Sequence, residues 1–337
     1  MSFSFGFSQA DFSDDELDST PVTSKPQNTS TSEAPVEIPP KIHSLSSILK
    51  TLLNVRITFD NYKTANGNIV YRRELFDVKH QCMTEDTEGE ASEINKILLG
   101  SGEELDLEKN VYEGGFKLWE CSYDLVDDVA KKSELLFNRK SVLELGCGSA
   151  LPSCFILMKW LEQKKSEKTL LLGDFNYEVL RLVTVPNLIV HWASTLDPQE
   201  LADLQNPDIP MRNDEVEVTP QLSEAFIAAL EKQKIEIHCI SGSWGPSFAD
   251  LVKPFKTDLI LSSETIYSLD TLPIFIKLLL DIMNGNSCLA LVAAKSYYFG
   301  VGGSLQEFTQ RLPSPLAHET QNVPNSLLKR AIVQITT

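Results

Sequence analysis

The chain has 337 residues, 42% of them hydrophobic, enough for one large core with tails or two modest cores. Its formal net charge of −17 excludes a protein that tracks nucleic-acid phosphates, which needs clustered Lys and Arg, and suits a basic partner instead. Its six cysteines (Cys82, Cys121, Cys147, Cys154, Cys239, Cys288) form no CxxC pair, which argues against a zinc site or a disulfide framework and for reduced thiols.

Residues 1–41 are rich in Ser, Thr and Pro and hold seven acidic residues against two lysines. They read as a disordered acidic tail, because such a segment cannot bury enough surface to offset its ordering entropy. Phe3, Phe5, Phe7 and Phe12 are either incidental aromatics or a short linear docking motif, and Ser13 before Asp14-Asp15-Glu16 has the pattern of an acidic-directed phosphosite. The N-terminus lacks the basic and apolar regions of a signal peptide, and LPIFIKLLLDIM is too short and charge-interrupted to span a bilayer. The expectation is a soluble protein of the cytoplasm and nucleus.

A folded region is expected over 42–337, with an N-terminal extension over 42–113 and a Rossmann-like core over 114–337. In the extension, LSSILKTLLNVRITFDNY predicts a short amphipathic helix running into an extended segment, and IVYRRELFDVKHQCM alternates like a strand pair. The acidic stretch from Thr84 to Asn110 reads as a surface excursion. EGGFKLWECSYDLVDDVAKKSELL predicts a helix opened by its Gly pair, with Leu118, Cys121, Leu125 and Val129 as the apolar stripe. From there strands and helices alternate. Strands are expected at SVLELG, TLLLGDF, IEIHCIS, TDLILSSE, SCLALVAAK and AIVQITT; helices at CFILMKWLEQK, EVLRLVTVPNLIVH, SEAFIAALEKQ and LPIFIKLLLDIMN. The order implies an α/β, doubly wound, mostly parallel sheet covered on both faces, with PQELADLQNPDIPMRNDEVEV as a polar surface loop.

The turn after the first of these strands reads Gly146-Cys147-Gly148-Ser149-Ala150. Glycines let the backbone turn sharply and bring main-chain N–H groups within contact of a ligand. A dinucleotide fingerprint would place its third Gly at Leu151. Counted from Glu144, the pattern E-x-G-x-G-x-A instead resembles the first motif of class I methyltransferases, which bind S-adenosylmethionine; a structural turn or another nucleotide remains open on the motif alone. At the tip of the next strand, Asp174 can accept both ribose hydroxyls of an adenosine or cap a helix, with Asn176 able to take the capping role. The third strand ends in SGSWG and the fourth in Ser262-Ser263-Glu264-Thr265-Ile266-Tyr267, which places an acid and a Tyr at the carboxyl edge where open α/β sheets bind ligands.

Taken in order, LWECSYDL, VLELGCGSALPS, GDFNYEVLRLVTVPN, SGSW, DLILSSETIY and AAKSYYFGVGGS resemble the protein-histidine N-methyltransferase family of seven-strand enzymes over residues 44–337, and MSFSFGF resembles its fungal members. The resemblance implies class I, seven-strand, S-adenosylmethionine-dependent chemistry, with S-adenosylhomocysteine as coproduct. It further implies monomethylation at the tele nitrogen of a histidine in a large-subunit ribosomal protein, with effects on ribosome assembly or translation. By similarity Trp119, Glu120 and Cys121 line the cofactor, Gly146 and Gly148 approach it, and Asp174, Phe175 and Asn176 hold the adenosine. Gly242, Ser243 and Trp244 close over the base, and Ser262 borders the methionine end. Ser243 departs from the family pattern, in which related enzymes often carry an acid.

Methyl transfer from a sulfonium needs an aimed lone pair more than acid–base work, and imidazole is mostly neutral near pH 7. Glu264 or Tyr267 can therefore serve as the catalytic pair by accepting the opposite N–H and fixing the tautomer, with Tyr267 as a wall; a capping or structural carboxylate, or contact with the acceptor backbone, is the other reading of Glu264. Lys295 to Gly303, aromatics beside a Gly-rich bend, reads as an acceptor channel or as a core patch with a turn. The five histidines form no cluster. The expected partner is a basic ribosomal protein, without direct contact to nucleic acid or membrane, and the expected state is a monomer. Two other readings stand: a lysine methyltransferase of the same fold, whose acceptor must first lose a proton, and a non-catalytic chaperone for a basic ribosomal protein.

Overall fold

The six apolar runs expected as strands all become strands, and they lie side by side in one sheet. The structure is a computed structural model that describes residues 37–85, 114–285, 287–298, 302–314, 316–324, 326 and 328–337. The main sheet holds β1 (Lys41–Ser44), β4 (Ser141–Leu145), β5 (Lys168–Asp174), β7 (Ile235–Ser241), β8 (Leu259–Ser263), β9 (Leu289–Lys295), β10 (Ala317–Asn322) and β11 (Arg330–Thr336), in the spatial order β1-β7-β5-β4-β8-β9-β11-β10. The five strands from β7 to β9 run parallel; β1 is antiparallel on one edge and β11 is antiparallel to both β9 and β10.

Alternate residues of each strand go to opposite faces, as the period of two requires. Val142, Leu170, Leu172, Cys239, Leu259 and Leu261 pack on one face beneath α3 (Cys121–Lys131), α5 (Leu151–Glu162), α6 (Val185–Ala193) and α8 (Pro220–Lys232). Leu143, Leu145, Leu171, Ile240 and Ile260 pack on the other beneath α9 (Pro246–Val252), α10 (Leu272–Met283) and α11 (Leu305–Arg311). Each such fully buried side chain contributes roughly 1.5–3 kcal/mol relative to exposure. The crossovers from β4 to β7 use the first face and those from β7 to β9 the second. The winding therefore reverses beside β4, and a crevice opens outside the carboxyl ends of β4 and β8.

Several expectations shift in detail. Order does not begin near Ser44: residues 37–41, expected in the tail, are described, and Lys41 already opens β1, which pairs with β7 before α1 (Leu45–Thr51) starts. The strand pair expected from IVYRRELFDVKHQCM is one strand, β3 (Ile69–Arg73), followed by α2 (Leu75–Glu85), because Val78 and Cys82 supply a helical i, i+4 buried pair. The polar insertion is not only loop. It forms a short helix, α7 (Pro198–Asp203), capped by Asp197 and Glu200, and β6 (Glu215–Glu217), which joins β2 (Arg56–Lys63) and β3 in a separate three-stranded sheet. The helix expected from the Gly pair at 114–115 begins only at Cys121; Leu125 and Val129 are fully buried on it as expected. The acidic excursion after Glu85, the tail before residue 37 with its Phe residues and Ser13, and residues 299–301 lie outside the described residues.

Candidate active site

The loop after β4 turns through three left-handed residues, Gly146 (φ +62°), Gly148 (φ +50°) and Ala150 (φ +52°), the last of which begins α5. Space, as well as φ, demands the first two. A Cβ on Gly146 would stand 2.6 Å from Thr265 Cγ2 and 3.5 Å from the Trp244 ring, and one on Gly148 would stand 3.2 Å from the Gly115 carbonyl oxygen. The loop is pinned from below, where Thr184 Oγ1 donates to the Gly148 carbonyl and Asn187 Nδ2 donates to that of Ser149. Glu144, buried under α5, accepts from the Ser153 N–H, and burial pushes its carboxyl up to about 7. Its role is inside the fold rather than at the crevice.

Asp174 ends β5 and joins the two loops. One carboxylate oxygen accepts from the Gly148 N–H at 2.9 Å and the other from the Asn176 N–H at 3.1 Å. Asn176 occupies the N-cap position of the following turn, though its side chain makes no capping bond there. The Gly242 N–H donates to the carbonyls of both Asp174 and Phe175, which lays the loop after β7 against the loop after β5. Ser243 is engaged elsewhere: its hydroxyl accepts from the Ile38 N–H and its own N–H donates to the Ile38 carbonyl, both at 2.9 Å. The chain just ahead of β1 thus straps this loop. Gly242 (φ +119°) is indispensable there, since a Cβ would stand 2.6 Å from Pro40 Cα. Trp244 is half-buried beside Phe275, and its indole Nε1 is buried without a hydrogen-bond partner.

At the end of β8, Glu264 adopts a left-handed backbone (φ +58°) that a glutamate reaches only at a cost of about 1 kcal/mol or more. Its side chain is 3% exposed, and its carboxylate faces the Cys121 thiol, the Tyr298 hydroxyl and the Lys295 ammonium without closing a hydrogen bond of ordinary geometry. The Lys295 ammonium, at the end of β9, stands 3.7 Å from Oε1. Burial and the Glu264 charge together push the Cys121 thiol and the Tyr298 hydroxyl well up, so both remain protonated beside the carboxylate. Lys295 also stands 3.5 Å from Glu120 Oε2 and 5.4 Å from the centre of the Trp119 ring, whose Nε1 donates to the Gly114 carbonyl. Arg330 lies 3.8 Å from Glu120 and bonds Asp124 at 2.6 Å. Tyr267 is half-buried, edge-on to Tyr298, and its carbonyl accepts from the Gly303 N–H.

The structure therefore brings Trp119, Glu120, Gly146, Gly148, Asp174, Phe175, Asn176, Gly242, Trp244, Glu264 and Tyr267 to the loops around one crevice. Three of the residues expected at the cofactor are engaged within the chain. Cys121 and Ser262 are fully buried; Cys121 lies beside Glu264, and Ser262 Oγ donates to the Leu145 carbonyl and meets Thr265 Oγ1 at 2.7 Å, which braces the loop after β8. Ser243 is spent on Ile38. Lys295 and Tyr298, from the stretch expected as an acceptor channel or a core patch, stand beside Glu264; the residues without a sequence-based expectation are Thr265 at the crevice and Ile38 and Pro40 in the strap, while Gly115 is recognisable only as part of a Gly pair. Gly115 had a signal, the Gly pair, which was assigned to a helix start; a Cβ there would meet Val179 at 2.8 Å.

The residues present fit a nucleoside-bearing methyl donor. Two left-handed glycines form a cradle that a Cβ would fill, an acid at the tip of β5 ties the two loops together, and an indole N–H without a hydrogen-bond partner and a buried carboxylate flank them.

A family model described as "Lysine methyltransferase" matches residues 204–300. Across 378 aligned residues the chain is 40% identical to Histidine protein methyltransferase 1 of Saccharomyces cerevisiae, covering 100% of this chain and 99% of that protein. It is 39% identical to the protein of the same name from Schizosaccharomyces pombe, covering 78% and 77% of the two chains. With the Histidine protein methyltransferase 1 homolog of Bos taurus the identity is 31%, over 88% of this chain and 72% of that one.

Proposed function

The chain belongs to the histidine protein methyltransferase 1 family, and from that premise we propose that it transfers one methyl group from S-adenosylmethionine to the tele nitrogen of a histidine in a large-subunit ribosomal protein. The family and the fold imply that cofactor. It would supply a methyl group on a sulfonium, whose S–C electron pair departs with the sulfur as the new N–C bond forms. Asp174 and Phe175 would take the adenosine, Gly146 and Gly148 would let it lie against the main chain, and Trp119 would wall the methionine end.

The observation that carries the reading is Glu264. A strained, buried carboxylate with no hydrogen bond of ordinary geometry is costly to the fold and suits a site that must accept a proton donor. An imidazole placed against it donates N–H to the carboxylate, which fixes the tautomer and leaves the lone pair on the other nitrogen. When that lone pair takes the methyl group the ring becomes cationic, and the same carboxylate stabilises it and accepts the departing proton. Tyr267 would wall the acceptor, and the acidic chain as a whole would draw in a basic ribosomal protein as a monomer, in the cytoplasm or nucleus, without contacting nucleic acid or membrane.

The test is to incubate the protein with radiolabelled S-adenosylmethionine and separated ribosomal proteins. Label is expected in a large-subunit protein and lost with Asp174→Asn, which replaces one acceptor facing an N–H by a donor. Charge-assisted bonds of this kind contribute roughly 1.5–3 kcal/mol, so cofactor affinity should fall by about 10- to 150-fold. Label confined to small-subunit proteins, or retained in full by Asp174→Asn, would contradict the reading.

A further inference from the structure

We propose that Lys295 is the specificity-determining residue that keeps a lysine acceptor out of the crevice: the chain's own ammonium occupies the recess that a substrate ammonium would otherwise take. The inference rests on the histidine-transfer reading.

The recess has the partners that an alkylammonium seeks. Glu120 and Glu264 present carboxylate oxygens 3.5 Å and 3.7 Å from Lys295 Nζ, and the Trp119 ring lies 5.4 Å away, within cation–π range. Without Lys295 these three groups, at the edge of a methyl-transfer site, would form an anionic pocket with an aromatic wall. Lys295 is held there firmly. Its side chain is 17% exposed, it is the last residue of β9, and it lies in register with Arg330 of β11, which itself pairs with Asp124 and Glu120. Lysine and arginine together leave Glu120 no anionic surplus for a third cation.

The consequence differs for the two candidate nucleophiles. An acceptor lysine arrives protonated and must approach a fixed like charge before it can give up its proton. A histidine arrives mostly neutral, is not repelled, and finds in Glu264 a carboxylate without a hydrogen bond of ordinary geometry. With Lys295 removed, the incoming ammonium can settle between Glu120, Glu264 and Trp119. Its proton can pass to Glu264, and the freed lone pair can form the N–C bond as the S–C pair departs with sulfur.

The full chain, as wild type and as Lys295→Met, Lys295→Gln and Lys295→Arg, is incubated with radiolabelled S-adenosylmethionine and an unfractionated mixture of basic ribosomal proteins. The acid hydrolysate is then resolved into methylhistidine and methyllysine. The wild type is expected to give methylhistidine. The methyllysine-to-methylhistidine ratio should rise at least about 10-fold in both neutral variants, and Lys295→Arg should keep the wild-type ratio. Cofactor binding by calorimetry identifies the variants that fold, and two neutral side chains of different polarity guard against one failing. An unchanged ratio in a neutral variant that binds cofactor overturns the inference and leaves the histidine reading standing. Methyllysine from the wild type overturns both.

Discussion

Glu264 carries two costs that a purely structural residue would not keep: a left-handed backbone and a buried carboxylate without a hydrogen bond of ordinary geometry. Replacing it by Gln removes the charge and keeps the shape. Lys295 retains Glu120 as a partner, so calorimetric melting of Glu264→Gln should give a midpoint no lower than that of the wild type. Turnover should fall by about 10²- to 10⁴-fold, the usual span for a positioned proton acceptor, with cofactor affinity little changed. Full turnover in Glu264→Gln would remove Glu264 from the chemistry. The sequence made this residue visible through its place at the end of an apolar strand, three residues before a tyrosine. Its partners were harder to see. Lys295 and Tyr298 lie some thirty residues further on, and only the pairing of β8 with β9 sets them beside it.

At the scale of elements, the loops around the crevice are held by segments far from them in sequence. The bend after β9 rests on the loop after β8: Gly303 exchanges hydrogen bonds with Tyr267 and Tyr298, and a Cβ on it would stand 2.3 Å from the Ile266 and Tyr267 backbone. Gly303→Ala must therefore displace the segment that carries Glu264 and Tyr267. Steady-state kinetics should show kcat falling at least 10-fold while calorimetric cofactor affinity changes by less, because Asp174 and the Gly146–Gly148 loop lie on other strands. Equal losses in both would mean that the bend supports the cofactor side. The strands and helices of the parallel core were legible because their apolar runs are continuous. β10 was not, since all six of its residues are exposed and AHETQN carries no apolar alternation. β1 is four residues long with exposed ends, and it is specified by its partner β7 rather than by its own pattern. Ser243 could be read as a ligand contact only while Ile38 was assigned to the tail.

For the molecule as a whole, two buried groups on the same side of the sheet pull the pH dependence of stability in opposite directions. Burial raises the Glu144 carboxyl to about 7, so ionising it costs stability progressively as pH rises from about 4.5 to about 7. Burial lowers the His191 imidazole to about 4, with its Nδ1–H donated to the Asn187 carbonyl and Nε2 accepting from the Tyr71 N–H, so stability is lost as pH falls from about 6.5 to about 4. Each amounts to about 3 kcal/mol by linkage, and the two largely cancel between pH 4.5 and 6.5. Glu144→Gln should uncover the histidine: in urea unfolding the variant should gain about 2–3 kcal/mol between pH 4.5 and 6.5 relative to the wild type's change over the same interval. A parallel pair of curves would mean that Glu144 is not held protonated. Neither partnership could be read from the chain, because each depends on which helix covers which strand. The acceptor class lies furthest from the sequence motifs, which serve a lysine as well as an imidazole. It is tested most directly by hydrolysing acceptor protein methylated by the wild-type enzyme and chromatographing the labelled amino acid. The account predicts tele-methylhistidine; methyllysine, or the pros isomer, would contradict it.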